Sequence, residues 1–156
     1  MRALVVYDST YGNTEKIAQA IGDAVAAQVL RVTEVNPSDL KGFDLLIVGS
    51  PTHGGRPTPE IQDLLRGSPA LGGVNAAAFD TRHVSKWTLL FGYAAPRIAR
   101  ILKRNGATLV ASPEGFLVLG TQGTLKEGEL ERAAGWAKGI AGQPSSKSKT
   151  DTKGVQ

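Results

Sequence analysis

The chain has 156 residues, 18 basic and 14 acidic side chains for a formal charge of +4, and no cysteine. That length supports one domain with a substantial core. The absence of cysteine excludes disulfides, thiolate zinc sites and a cysteine nucleophile, and the 2 histidines make no histidine-rich metal site, so no metal is expected.

Short apolar runs alternate with amphipathic segments. Residues 3–8, ALVVYD, are nearly continuous in apolar character, which predicts a strand covered on both faces. They run straight into DSTYGNT, residues 8–14, where Ser9, Thr10, Tyr11, Asn13 and Thr14 surround Gly12 without a lysine or arginine. From Thr14 to Ala27 the apolar residues Ile17, Ile21 and Val25 recur at helical spacing. VLRVTEV, residues 29–35, alternates as a half-exposed strand does, and Asn36 to Asp39 reads as a turn. FDLLIVGS, residues 43–50, is the most apolar run and predicts a central strand.

PTHGGRPTPE, residues 51–60, is too rich in glycine and proline to be regular. Thr58 is the expected N-cap of a helix whose first residue is Pro59 and whose buried face is Ile61, Leu64 and Leu65. NAAAFD, residues 75–80, predicts a fourth strand, followed by an irregular stretch through Tyr93. The next helix turns Ile98, Ile101 and Leu102 inward and Arg97, Arg100, Lys103 and Arg104 outward. TLVAS and FLVLG, separated by Pro113, Glu114 and Gly115, read as a broken fifth strand, and a last helix is expected from about Lys126 to Ile140. The final segment, residues 143–156, is polar and free of aromatics, which predicts a disordered tail after a domain of residues 1–142.

Strands alternating with helices imply an open parallel sheet wound on both faces. Ligands of such sheets bind beyond the carboxyl ends of the strands. Three loops leaving those ends are unusual in sequence: residues 8–14, 50–58 and 80–87. Neither a P-loop nor a G-x-G-x-x-G pattern is present, which argues against nucleoside triphosphate and dinucleotide sites. A hydroxyl-rich turn at a helix N-terminus suits a phosphate monoester, because the free amides and the helix dipole favour an anion. The alternative is an ordinary capped turn, for which one hydroxyl is enough. The mild basic excess comes without an aromatic-interleaved basic stripe, so nucleic acid is not an expected partner. With no signal-peptide pattern and no apolar stretch of membrane-spanning length, a soluble cytoplasmic protein without membrane insertion is the expectation.

The STYGNT segment resembles the flavodoxin phosphate loop, [ST]-x-T-G-x-T. The resemblance extends through LLIVGSPTHGGRPTPEI, ILKRNGATLV, FLVLG and GELERAAGWAKGI. It implies a flavodoxin-like α/β fold, a doubly wound five-stranded parallel sheet of order 2-1-3-4-5. It also implies FMN as cofactor, with its phosphate on Ser9, Thr10, Tyr11, Gly12, Asn13 and Thr14. The other cofactor-binding residues it implies are Pro51, Thr52, His53, Gly54, Gly55 and Arg56 from the second loop, and Asp80, Thr81, Arg82, His83 and Trp87 from the third. No catalytic residue is implied. In flavodoxins a glycine-containing turn corresponding to Gly54-Gly55 flips when the flavin is reduced.

Departures from the family pattern are visible in the same loops. Tyr11 stands where flavodoxins generally carry threonine. His53 stands where the inner aromatic is usual, and Arg56, Arg82, His83 and Lys86 occupy loops that are ordinarily acidic, which implies a ring surrounded by positive charge. The function implied is an FMN electron carrier working between redox partner proteins, a reductase and an acceptor. The alternatives are an FMN-dependent oxidoreductase acting on a quinone or similar organic substrate, and a binding module that has lost flavin.

Overall fold

The computed structural model describes residues 1–83, 92–120 and 123–143. Its strands are β1 (Ala3–Tyr7), β2 (Gln28–Arg31), β3 (Leu45–Pro51), β4 (Asn75–Arg82), β5 (Thr108–Leu109) and β6 (Glu114–Leu117). Its helices are α1 (Asn13–Val25), α2 (Pro59–Arg66), α3 (Ala94–Arg104) and α4 (Glu129–Ala141). Residues 144–156, nearly all of the expected tail, lie outside the described residues, as do Trp87 and Lys86.

The strands order as β2-β1-β3-β4-β5, all parallel, and β6 also pairs with β4. The expected order therefore stands, and the broken fifth strand is two short ones. β5 meets β4 at Asn75 and Ala76, and β6 meets it again from Phe79 to Arg82. β2 is shorter than its alternation suggests: after Arg31 the chain turns into a short 3₁₀ helix, Val32–Glu34, that buries Val32. The last helix begins later than expected, at Glu129, after Gly128 with φ of +87°.

Side chains of a strand alternate between faces, so each central strand feeds two cores. Leu4, Val6, Leu46 and Val48 pack with Ile61 of α2 and Ile98 of α3. Val5, Tyr7, Leu45 and Ile47 pack with Ile17 of α1 and Ala137 of α4. On this second face Phe79, Phe116 and Trp136 meet edge to face, with centroids 6.1–6.3 Å apart. Gly49 makes room for that cluster, since a Cβ there would lie 2.0 Å from the Phe79 ring. Among the described residues no helix is long and apolar enough to cross a membrane.

Candidate functional site

The loops leaving β1, β3 and β4 converge at the carboxyl edge of the sheet. The first is held by its own polar groups. Ser9 N–H donates to Asp8 Oδ1 (2.9 Å) and Gly12 N–H donates to Ser9 Oγ (3.0 Å). Arg31 reaches across from β2, pairing with Asp8 at 3.3 Å and donating to the Ser9 carbonyl at 3.1 Å. This neutralises the carboxylate that opens the loop. Gly12 is the N-cap of α1 with φ of +92°, a conformation costly for any residue with a Cβ.

No side chain caps α1. The Ser9, Thr10 and Thr14 hydroxyls are engaged elsewhere. The Ser9 hydroxyl is used inside the turn, and Thr10 Oγ1 lies 3.4 Å from His53 Nε2. The buried Thr14 hydroxyl shares a 2.8 Å hydrogen bond with Thr81 Oγ1 of β4. The first N–H groups of a helix have no intrahelical acceptor, and at the start of α1, whose Asn13 and Thr14 line the cleft at these loops, no side-chain cap takes them up. A site for an anion has this form.

The second loop turns on a hairpin. His53 and Arg56 exchange backbone hydrogen bonds of 2.9 and 3.0 Å, with Gly54 and Gly55 between them at φ of +58° and +78°. Both values are positive, as a type I′ turn requires, and glycine adopts them without strain. Thr52 ties this loop to two neighbours, donating its N–H to the Thr81 carbonyl (3.0 Å) and accepting Ala94 N–H on Oγ1 (3.1 Å).

The third loop begins with a buried ion pair. Asp80 is 0% exposed and accepts Arg82 Nε and Nη2, each at 2.7 Å, in a bidentate fork, together with Ala95 N–H at 2.8 Å. Burial pushes the Asp80 carboxyl above its ordinary range, against the pull of Arg82 and the Ala95 amide. The Arg82 guanidinium also lies over the Tyr93 ring, 3.5 Å from its centroid. Gly115 of β6 makes this possible, because a Cβ there would lie 2.2 Å from the guanidinium.

One cleft gathers residues from all three loops. Thr10, Tyr11, Asn13 and Thr14 line it from the first, Pro51, Thr52 and His53 from the second, and Thr81, Arg82 and His83 from the third. Ser9, Gly12, Gly54, Gly55 and Asp80 are not among its lining residues, and Arg56 lines a different cleft. Trp87 lies outside the described residues. Arg82, expected as positive charge beside the ring, lines the cleft while paired with the buried Asp80.

Sequence reasoning missed Val118, which lines the cleft just after β6, and Gly123, whose carbonyl accepts Asn13 Nδ2 at 2.8 Å. Their position after the last strand, at the same sheet edge as the other loops, was an available signal. It also missed Tyr93 and Arg31, whose roles depend on contacts across the fold.

The family model for flavodoxin matches residues 5–136. The chain belongs to the flavodoxin family. Flavodoxins are electron-transfer flavoproteins that bind a flavin, normally FMN. Flavodoxin 1 from Bacillus cereus is similar in fold, with a TM-score of 0.80 and 20% identity over 93% of this chain and 100% of that one. An NAD(P)H dehydrogenase (quinone) of Gluconacetobacter diazotrophicus is 27% identical over 97% of this chain and 89% of its own length. An uncharacterized protein of Methanocaldococcus jannaschii is 37% identical over 57 residues, which span 36% of this chain and 38% of that protein. Two imidazoles, His53 and His83, line the cleft.

Proposed function

We propose that the chain is an electron carrier that binds FMN in the cleft at the carboxyl ends of β1, β3 and β4. The observation that carries this reading is the uncapped start of α1, directly after the Ser9–Gly12 turn and open to the cleft. Its amides would hold the cofactor phosphate, with the Thr10 side chain beside them. His53 and His83 would flank the ring, each offering a planar surface and a nitrogen whose tautomer is set by its neighbour. When bound, FMN supplies the one- and two-electron redox chemistry. The protein's residues hold the phosphate, orient the ring and balance charge next to it, Asp80 compensating Arg82 from below. The redox partners would be a reductase and an acceptor protein.

The test is titration of the flavin-free protein with FMN, riboflavin and FAD. FMN should bind far more tightly than riboflavin, since riboflavin lacks the phosphate that α1 receives. Equal affinities for the two would remove the phosphate assignment. A second reading, a flavin-dependent quinone oxidoreductase, is favoured by the likeness to the Gluconacetobacter dehydrogenase. Steady-state quinone reduction by NAD(P)H, with no partner protein present, would establish that reading over the carrier.

A further inference from the structure

Most arginines of the described chain have a local partner. Arg31 pairs with Asp8, Arg66 with Asp63, Arg82 with Asp80 and Arg132 with Glu114 and Glu129. Arg2 lies over the Phe43 ring. Four further arginines stand together. Arg56 of the hairpin and Arg97, Arg100 and Arg104 of α3 line one shallow cleft, whose floor is Pro57, Gln62 and Ile101. The spacing along α3 puts its three arginines on one stripe, while Ile98 and Leu102 are buried on the other side. Among the described residues no carboxylate lines this cleft, and α3 itself contains no acidic residue. Among the described residues neither Arg56, Arg100 nor Arg104 pairs with a carboxylate. The nearest acidic residues in sequence, Glu60 and Asp63, belong to α2, and Asp63 is held by Arg66 at 3.3 Å.

Like charges that have no paired carboxylate, here Arg56, Arg100 and Arg104, repel one another, so their arrangement costs stability in the isolated protein and is repaid by an anionic partner. Its place next to the flavin-type cleft suggests which partner. His53 lines that cleft and Arg56, its bonded partner across the hairpin, lines the arginine cleft. A protein seated on the arginines therefore covers the hairpin and lies beside the site where electrons would leave or enter.

We propose that Arg56, Arg97, Arg100 and Arg104 form the docking surface for an acidic redox protein. The proposal rests on the flavin reading of the neighbouring cleft, since that site is what gives a docked partner something to exchange electrons with. Complementary charge steers the encounter and fixes the approach, and guanidinium groups suit the recognition of surface carboxylates through their bidentate fork. In the exchange one electron passes from a reduced partner to oxidised flavin, and no bond to the protein forms or breaks.

The experiment uses an acidic two-iron ferredoxin as the probe, its binding to the full chain followed by calorimetry. Its photoreduced form then passes one electron per cluster to the flavin in stopped flow. Binding should be strongest near 0.01 M ionic strength and fade toward about 0.15 M, as the screening length falls from about 30 to about 8 Å. The double variant R100E/R104E should weaken binding and slow electron transfer by about 10-fold or more, and R100Q/R104Q should move both in the same direction by less. The variant K41E/K138E changes net charge equally at exposed lysines away from this cleft and should leave both nearly unchanged. Equal losses in K41E/K138E and R100E/R104E would overturn the docking surface. So would ferredoxin binding indifferent to R100E/R104E, or pyrophosphate binding at the arginines with none to ferredoxin. A yellow protein that ignores ferredoxin overturns this proposal alone, whereas a colourless protein that still binds ferredoxin through these arginines defeats the flavin reading and supports the docking surface.

Discussion

The starts of α1 and α2 both follow a strand of the same sheet, and both are rich in hydroxyls, yet they are finished differently. At α2, Thr58 turns its side chain onto the helix it precedes and accepts Ile61 N–H at 3.4 Å, while Ser50 Oγ accepts Thr58 N–H at 3.0 Å. At α1, five polar side chains crowd the turn and none caps the helix. The start of α3 is a third case, capped from a distance by Thr52 and Asp80. Hydroxyl content by itself does not tell whether a turn caps the helix that follows it. What decides it is where the hydroxyls point, and at α1 they point into the loop, to His53 and to Thr81.

This contrast is best broken at its strongest link. Asp80 joins the start of α3 to the cleft, and Asp80→Ala would leave the largely buried Arg82 unpaired. Removing one partner of a buried pair costs about 3–5 kcal/mol, so urea unfolding should show a loss of that order. A loss well below about 1 kcal/mol would mean that the pair is not what holds the loop. The next effect sharpens the contrast directly. Thr10→Asp places a carboxylate at the uncapped turn and should weaken FMN binding by about 100-fold through charge repulsion. Thr58→Asp places the same carboxylate at a helix start where it is an equally good cap, and should leave FMN affinity unchanged.

Helix α4 offers a comparison in pH. It too begins at a glycine without a side-chain cap, but its first residue, Glu129, is buried and accepts Leu117 N–H at 2.8 Å and two bonds from Arg132 at 3.0 and 2.8 Å. The Arg132 bonds, above all, hold the Glu129 carboxyl below its ordinary range, with burial opposing them. A carboxyl depressed in the folded state stabilises the fold above its unfolded value of about 4.3, and that stabilisation is lost as pH falls through the lower folded value. Glu129→Gln should therefore cost about 1.5–3 kcal/mol at neutral pH, and the gap from the unaltered protein should close below about pH 4 in denaturant titrations. The smallest expected effect is that of Thr58→Ala. It should lose about 1 kcal/mol of stability with FMN affinity untouched, because its hydroxyl serves only α2.

The fold was largely legible because periodicity reports burial. The continuous apolar runs of β1 and β3 and the helical spacing of Ile17, Ile21, Ile61 and Ile98 are local signals. Strand order followed from the resemblance rather than from any local signal. The end of β2 was not legible, because VLRVTEV alternates through Val35 while the structure turns into a 3₁₀ helix to bury Val32. The three loops that line the cleft were legible as unusual segments at the carboxyl edge of the sheet. The state of their charges was not: Arg56 and Arg82 look alike in sequence, but one is paired in the interior and the other opens onto an unbalanced surface.

By itself the sequence determined which segments are strands and helices, where the chain must turn, and that a hydroxyl-rich turn precedes α1. These depend on side-chain type and spacing over a few residues, which is the range over which propensity and periodicity act. Only the tertiary structure decided that α1 is left uncapped, that Asp80 neutralises Arg82 from beneath the cleft, and that four arginines from a hairpin and a helix share one face. Each of those depends on how the fold disposes groups from separate elements, and electrostatic and hydrogen-bond energies at short range are set by geometry that no local pattern encodes.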